Sequence, residues 1–376
     1  MKIMVVSSGI PTEKYPLLGI FELDQAKALA QEGNEVVFLG VDLRSIRRWR
    51  RWGISRGNKD GVDYYLFNLP AGRLHLKLLC KIGQYCLSRL YKKVELDFGK
   101  PDIIHAHFTE MGCIVSRLSK KECVPYVITE HSSKINQYNI SNELVSCAKE
   151  AYQNANSVIA VGTTLSRNIF RHTGIKSIVV PNIINTELFF KCTRQQHDKF
   201  HLVTTSNLIS LKRTWQIIQA LAMINPSEID YKLTIIGDGP ERESILYWSK
   251  ALGLENRVDM VGYQPREAIA SIYENADVFI LVSSSETFGV AYVEAMAAGL
   301  PVIATRCGGP EDFVNENNGL LVDVDNITQI SSAIVKIYSS INRYKVENLR
   351  AFVKDRFAPK IIAERLYGIY QSIVKI

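Results

Sequence analysis

Short apolar, β-branched runs alternate along the chain with longer segments whose apolar positions recur every three or four residues, the pattern of βαβ units and parallel sheets. In the first half the runs predict strands near Ile3 to Val6, Glu35 to Leu39, Ile103 to Ala106, Tyr126 to Thr129, Val158 to Val161 and Ser177 to Val180. Between the first two, Phe21, Leu23, Ala26, Ala28, Leu29 and Ala30 make one face of a helix that ends at Gly33, a residue suited to a left-handed cap. The period then breaks over PNIINTELFFKCTRQQHDKF, residues 181–200. A second series follows, with strands near Leu202 to Thr205, Leu233 to Ile236, Val258 to Val261, Val278 to Val282 and Val302 to Thr305. Pro359, then Ile362, Leu366, Ile369 and Ile373, predict a closing helix. The expected organisation is therefore α/β, with a Rossmann-like domain over 1–184, a linker over 185–200, a second Rossmann-like domain over 201–355 and a C-terminal helix over 356–376.

Length agrees with this division, since 376 residues at roughly 150 per domain give two domains large enough to bury their own cores. A chain that is 47% hydrophobic and 22% charged is globular rather than disordered or collagen-like. Its net charge of +7 suits an anionic partner without saying which. The seven cysteines include no CxxC pair and no His at zinc-finger spacing, and are expected to be reduced thiols in a cytosol. No stretch reaches 18 apolar residues, and the apolar run at the start is too short for a signal-peptide core.

Open parallel sheets bind ligands outside the carboxyl ends of their strands, and in a two-domain chain the expected site lies between those ends. The richest loop there runs from Ser283 to Pro301 and holds Glu286 and Glu294 eight positions apart. Joined by helix they would stand about 12 Å apart along its axis, too far for a glycosidase pair, whose carboxyls lie roughly 5 to 9.5 Å apart. The spacing suits two ends of an elongated ligand with a phosphate held between them by helix amides. Helix acids favoured by the dipole are the plainer alternative.

The whole string ETFGVAYVEAMAAGLPVIATRCGGPEDFV, followed by NGLLV at residues 318–322, closely resembles the donor-site signature of glycosyltransferase family 4. Its E-x7-E element is specific. Weaker pieces extend the resemblance over most of the chain: Gly19-Ile-Phe, His105-Ala-His107, Thr129-Glu130-His131-Ser132, Pro181-Asn182 and Gly237-Asp-Gly239-Pro240. The resemblance implies the GT-B fold, two Rossmann-like domains facing across a cleft with a C-terminal helix returning to the first. It also implies a retaining transferase that uses a nucleotide diphosphate sugar.

Carried over by position, the resemblance implies that Glu286 sits beside the donor sugar, with Thr287 and main-chain amides of Phe288, Gly289 and Val290 around the sugar and phosphate. Glu294 would bind the ribose hydroxyls, as an ionised carboxylate can accept from both. Lys212 matches the family's lysine at the diphosphate, where a fixed cation stabilises the leaving group. Asn207 stands where Arg is usual and Arg213 where Gly is usual, so Arg213 is a candidate replacement for the missing charge. Gly19 would let a ligand approach the backbone, although turn geometry explains it equally. His107 is expected near the reacting centre, with His131 a second cleft candidate. His105 and His107 could suit a metal pair, but no carboxylate lies at a fitting spacing. Tyr263 stands where it could flank the base. Asp323-Val-Asp325 spells a DxD at a position that resembles an ordinary loop, and no essential metal or cofactor is expected.

One stretch stands apart: residues 44–56 carry six arginines, two tryptophans and no acid. Arg47, Arg48, Trp49, Arg50, Arg51 and Trp52 suit an anionic membrane surface, with residues 74–93 a candidate extension of it, single-stranded RNA the competing reading and a solvated loop the plainer one. The expected partners are thus a nucleotide-sugar donor, a lipid-linked or saccharide acceptor and the inner face of a cell membrane, with nucleic acid not expected. The expected role is surface polysaccharide or glycolipid assembly in the cytoplasm. Alternatives are an epimerase or phosphorylase on the same fold, or a non-catalytic membrane- or RNA-binding module.

Overall fold

The computed structural model describes residues 1–72, 74–193, 195 and 198–374. They form two compact units, Met1–Ile183 with Pro359–Ile376, and Ile184–Ala358.

The first unit runs β1 (Lys2–Ser7), α1 (Ile20–Gln31), β2 (Glu35–Asp42), β3 (Gly53–Lys59), β4 (Val62–Asn68), α2 (Leu76–Phe98), β5 (Ile103–His107), α3 (Thr109–Glu122), β6 (Tyr126–Glu130), α4 (Asn142–Gln153), β7 (Ser157–Ala160), α5 (Thr163–Thr173) and β8 (Ile178–Val179). The sheet order is β3-β4-β2-β1-β5-β6-β7-β8, parallel except where β3 folds back on β4. Every residue of β5 and β6 is buried, because helices cover both faces of a parallel sheet. The hairpin β3–β4 was not anticipated: Gly53–Lys59 lies at the sheet edge, half-buried to exposed throughout, and so carries no apolar run.

The second unit runs α6 (Thr186–Phe189), β9 (Phe200–Thr205), α7 (Thr214–Ala222), β10 (Tyr231–Ile236), α8 (Arg242–Ala251), β11 (Val258–Gly262), α9 (Arg266–Glu274), β12 (Val278–Leu281), α10 (Val290–Ala298), β13 (Val302–Thr305), β14 (Gly319–Val322), α11 (Ile327–Ser339) and α12 (Val346–Phe357). Its sheet, β11-β10-β9-β12-β13-β14, is wholly parallel. The stretch 185–200, expected as a linker, begins inside this unit. Asn185 caps α6 by accepting from the Leu188 amide at 3.2 Å, Phe189 is fully buried beside Tyr273, and Arg350 donates to the Cys192 carbonyl. Arg194, Gln196 and His197 of that stretch lie outside the described residues.

The last helix, α13 (Pro359–Ile373), belongs to the first unit. Ile362, Ala363, Leu366 and Tyr370 bury their side chains in the core formed by Ile3, Val5, Leu23 and Leu29. Strand order reverses between β1 and β5 in one sheet and between β9 and β12 in the other, so each unit has one switch point at which loops diverge and leave room for a ligand.

Candidate active site

At the switch point of the second unit, the loop after β9 and the loop after β12 are laced together. Ser284 donates to the Leu211 carbonyl through its amide at 2.8 Å and through its hydroxyl at 3.2 Å. This brings Lys212 to Glu286, Nζ to Oε1 at 2.6 Å, and the Ser283 hydroxyl donates to the same oxygen at 2.7 Å. The lysine and glutamate side chains keep only 18% and 11% of their exposure, so the pair acts in a medium of weakened screening. Glu286 is fixed from its backbone too, its amide donating to the Cys307 carbonyl and its carbonyl accepting from Gly309. The Cys307 thiol is pushed up to about 12, chiefly by burial, so it stays protonated and offers no thiolate nucleophile.

Gly289 caps α10 in the left-handed region at φ 97°, and a Cβ there would lie 2.6 Å from the Tyr292 ring. Tyr292 in turn donates to the Leu281 carbonyl at 2.7 Å, seating α10 against β12. The Phe288 side chain is buried against Phe313 and Phe357, which leaves its main chain as the part a ligand could meet. Thr287 and Val290 are half-buried. Amides at the start of α10 lack intrahelical acceptors, as at any helix start, and favour an anion. Glu294, one turn further along α10, is buried and faces Arg266 of α9, Nε to Oε1 at 3.4 Å. Arg266 was missed, since one arginine at a helix start gives no signal of its partner.

Arg213 is placed differently from the expectation. It occupies the left-handed region at φ 51°, which explains why glycine is usual there, and its guanidinium pairs with Asp325 at 3.0 Å. Asp325 also accepts from Gln216, while Asp323 meets Arg306 and Gln329. The two acids of the DxD string are thus bound to separate neighbours.

In the first unit, β5 and β6 end in three imidazoles. His105 and His107 stack with centroids 4.3 Å apart, and His107 Nδ1 shares a 3.0 Å hydrogen bond with His131 Nε2. Both nitrogens of His105 are engaged, Nε2 with the Thr129 hydroxyl and Nδ1 with the Tyr370 hydroxyl of α13, so His105 and His107 do not form a metal pair. Nε2 of His107 is buried without a partner. The His131 loop is pinned by Glu130, whose carboxylate accepts from the amides of His131 and Ser132 and from the hydroxyls of Thr109 and Tyr152. Gly19, at the start of α1, has φ 69°, and a Cβ there would fall 2.1 Å from the Gly9 carbonyl, so the loop geometry itself demands the glycine.

Burial pushes His105 down to about 3, His131 to about 4 and His107 well below its ordinary value. All three are neutral at physiological pH. Below about pH 6.5 the unfolded chain takes up protons that the folded one refuses, so the stability they contribute is lost as pH falls from about 6.5 toward 4, by up to about 1.4 kcal/mol per pH unit for each imidazole. We expect His131→Phe to flatten the acid limb of denaturant melts by about that slope. Equal slopes in variant and parent would contradict the assignment.

Beside the imidazoles opens a cavity of about 610 Å³ whose walls include Met111 and Ile114 of α3, Ser132 and two cations, Arg44 and Lys134. The arginine-rich stretch adjoins it. Arg47, Arg48 and Arg51 are exposed, with Trp49 and Trp52 at 66% and 50% exposure and ring centroids 6.2 Å apart. Arg50 is not part of that face. Its side chain is 10% exposed, pairs with Asp42 at 2.7 Å and donates to the carbonyls of Asp42, Arg44, Ser45 and Arg48. Arg44 is held by the same carboxylate. Among the described residues, no helix is long and apolar enough to cross a membrane.

Comparison with known proteins adds to this geometry. A family model described as Glycosyltransferase Family 4 matches residues 21–188, and one described as Glycosyl transferases group 1 matches residues 185–350. N-acetyl-alpha-D-glucosaminyl L-malate synthase of Bacillus anthracis is 29% identical, over 95% of this chain and 94% of that protein. Sucrose-phosphate synthase from Thermosynechococcus elongatus superposes with a TM-score of 0.81 at 20% identity, covering 100% of this chain and 99% of the other. Anabaena HepE, in complex with UDP and glucose, superposes with a TM-score of 0.75 at 18% identity, covering 99% and 100%.

Proposed function

Because the chain belongs to glycosyltransferase family 4 and has the two parallel-sheet Rossmann-like units of the GT-B fold, we propose a specific transfer for it. A hexosyl or N-acetylhexosaminyl unit moves from a nucleoside diphosphate sugar to a hydroxyl of a lipid-linked saccharide, with retention and with no metal ion at the diphosphate. The observation that carries the reading is the contact of Lys212 with Glu286 at the switch point of the second sheet, beside the start of α10. A bound diphosphate would take Lys212 from Glu286. The ammonium and the α10 amides would then meet the charge that develops as the sugar leaves, and Glu286 would be freed to accept hydrogen bonds from sugar hydroxyls. Glu294 is assigned to the ribose.

In the first unit, neutral His107 is assigned to a substrate hydroxyl, because one nitrogen is bound to His131 and the other is buried with no hydrogen-bond partner, so a substrate would have to open a way to it. The acceptor is assigned to the 610 Å³ cavity on its largely apolar wall; its two cations already face carboxylates, Arg44 that of Asp42 and Lys134 that of Glu110. Retention is assigned to attack by the acceptor on the face the diphosphate leaves; the protonated Cys307 thiol supplies no nucleophile for a two-step route. The glucosaminyl product of the Bacillus anthracis relative supports an N-acetylhexosaminyl unit.

The test is thermal unfolding with UDP, GDP and ADP added separately, each with a chelator present. One nucleotide, UDP first among them because the HepE complex holds it, should stabilise by about 2.7 kcal/mol at a hundred times its dissociation constant. No shift with any of the three, or a shift that needs added Mg²⁺ or Mn²⁺, would overturn the donor site described. Peripheral membrane contact at the cytoplasmic face is proposed on Trp49, Trp52 and the exposed Arg47, Arg48 and Arg51. At roughly 1 kcal/mol per basic residue near an anionic leaflet, the protein should float with anionic vesicles and fail to float after Arg47→Ser, Arg48→Ser and Arg51→Ser together. Flotation indifferent to anionic lipid would defeat this electrostatic reading.

A further inference from the structure

The cysteine spacings point to no metal motif, yet the fold gathers three of them. Cys80 of α2, Cys113 of α3 and Cys147 of α4 are all buried, and their sulfurs lie within 4.8 Å of one another. From this convergence we propose that Cys80, Cys113 and Cys147 form a structural site for one thiophilic divalent d¹⁰ cation, of which Zn²⁺ is the natural example, stapling α2, α3 and α4.

The geometry fits that ion. A tetrahedral centre with bonds of about 2.3 Å sets its sulfurs about 3.8 Å apart, so the three need to close by no more than about an ångström. A disulfide would join two sulfurs and leave the third over, whereas a metal engages all three. The fourth position faces a cavity of about 250 Å³, room for a water or for the carboxylate of Glu150, which lines the same cavity. Each coordinated sulfur releases its proton to solvent, so three thiolates and one divalent cation carry a net negative charge. Lys77, Lys81 and Arg117 line that same cavity together with Glu143 and Glu150, a net positive wall that offsets it. Cys80 also lies on the wall of the 610 Å³ cavity, so the staple would stiffen the pocket assigned to the acceptor. The site stands on its own residues and does not depend on that assignment.

The test uses the full chain with exposed Cys123 replaced, Cys123→Asn, stripped with a chelator under reducing conditions and titrated with Cd²⁺. The expected result is thiolate-to-metal charge-transfer absorption that saturates at one equivalent, competes with Zn²⁺ and raises the melting temperature. Cys147→Ala should weaken binding by at least about tenfold, the lower end of what even the outer partners of metal ligands contribute. Cys86→Ala, buried on the same α2 but outside the cluster, should leave binding unchanged. If Cys147→Ala fails to fold, X-ray absorption of the Cd²⁺ form of the parent decides, with three sulfurs expected around the metal. Absence of the band in reduced protein, its persistence in folded Cys147→Ala, or fewer than three sulfurs would overturn the site. So would loss of two thiols without reductant and without metal uptake, the result expected of a disulfide.

Discussion

Lys212→Ala is expected to lower kcat by about a hundred- to a thousandfold, the range found when one preorganised group is removed from a developing negative charge. The lysine does more here than neutralise a phosphate in passing. Its ammonium is held 2.6 Å from Glu286 with most of its side chain covered, so it is already partly desolvated beside the place where the diphosphate is proposed to take it over. Removing it also leaves a carboxylate that keeps the Ser283 hydroxyl at 2.7 Å but loses its counter-charge, where the diphosphate is proposed to enter. Steady-state kinetics should show a rise in donor KM from that repulsion and a larger fall in kcat, because the lysine's contact strengthens as charge develops on the leaving diphosphate. Lys212→Arg should restore part of it, because charge returns but the shape of the contact does not. If Lys212→Ala, with parental melting behaviour, turned over donor within a few-fold of the parent, the leaving-group role would be lost. Arg213 offers a contrast. Because Asp325 already holds its guanidinium at 3.0 Å, Arg213→Ala should disturb the start of α7 more than the chemistry.

What could be read from the sequence followed from burial. The strands from Ile3, Ile103, Tyr126, Val278 and Val302 announce themselves because helices cover both faces of a parallel sheet, so their runs are buried throughout and mostly apolar, with polar residues gathered toward the carboxyl ends. The hairpin over residues 53–68 stayed hidden for the converse reason, its outer strand being half solvated. The E-x7-E string was legible because one loop and one helix hold both carboxylates, whereas their partners come from far away in the chain. Lys212 and Glu286 are 74 positions apart, and His105 meets Tyr370 across 265. Local pattern carries no information about contacts at that range. The same limit explains Arg50: composition counts it with its neighbours, and only the fold shows that Asp42 captures it together with Arg44 and leaves Arg47, Arg48 and Arg51 outside. It also explains the cysteines, which converge from three helices with no motif in any of them.

Glu294→Ala is expected to act on binding rather than on the chemical step. The carboxylate sits within α10 eight positions from Glu286, buried and facing Arg266 at 3.4 Å, and so is already oriented before any ligand arrives. If it accepts the two ribose hydroxyls, its loss removes charge-assisted hydrogen bonds of about 1.5 to 3 kcal/mol each, which is about ten- to a hundredfold in donor KM for each bond lost. The same loss should appear for the free nucleotide diphosphate, because the ribose belongs to both. That coincidence separates a ribose ligand from a structural acid. An acid that only pairs with Arg266 would, when removed, lower the melting temperature without discriminating between nucleotide and deoxynucleotide. The deciding measurement is nucleotide affinity for the 2′-hydroxyl and 2′-deoxy forms in parent and Glu294→Ala. In the parent the deoxy form should bind more weakly by about tenfold, and in the variant the two should bind alike. A preference for the 2′-hydroxyl that survives in the variant would assign the ribose to another residue and return Glu294 to a role within the α9–α10 packing.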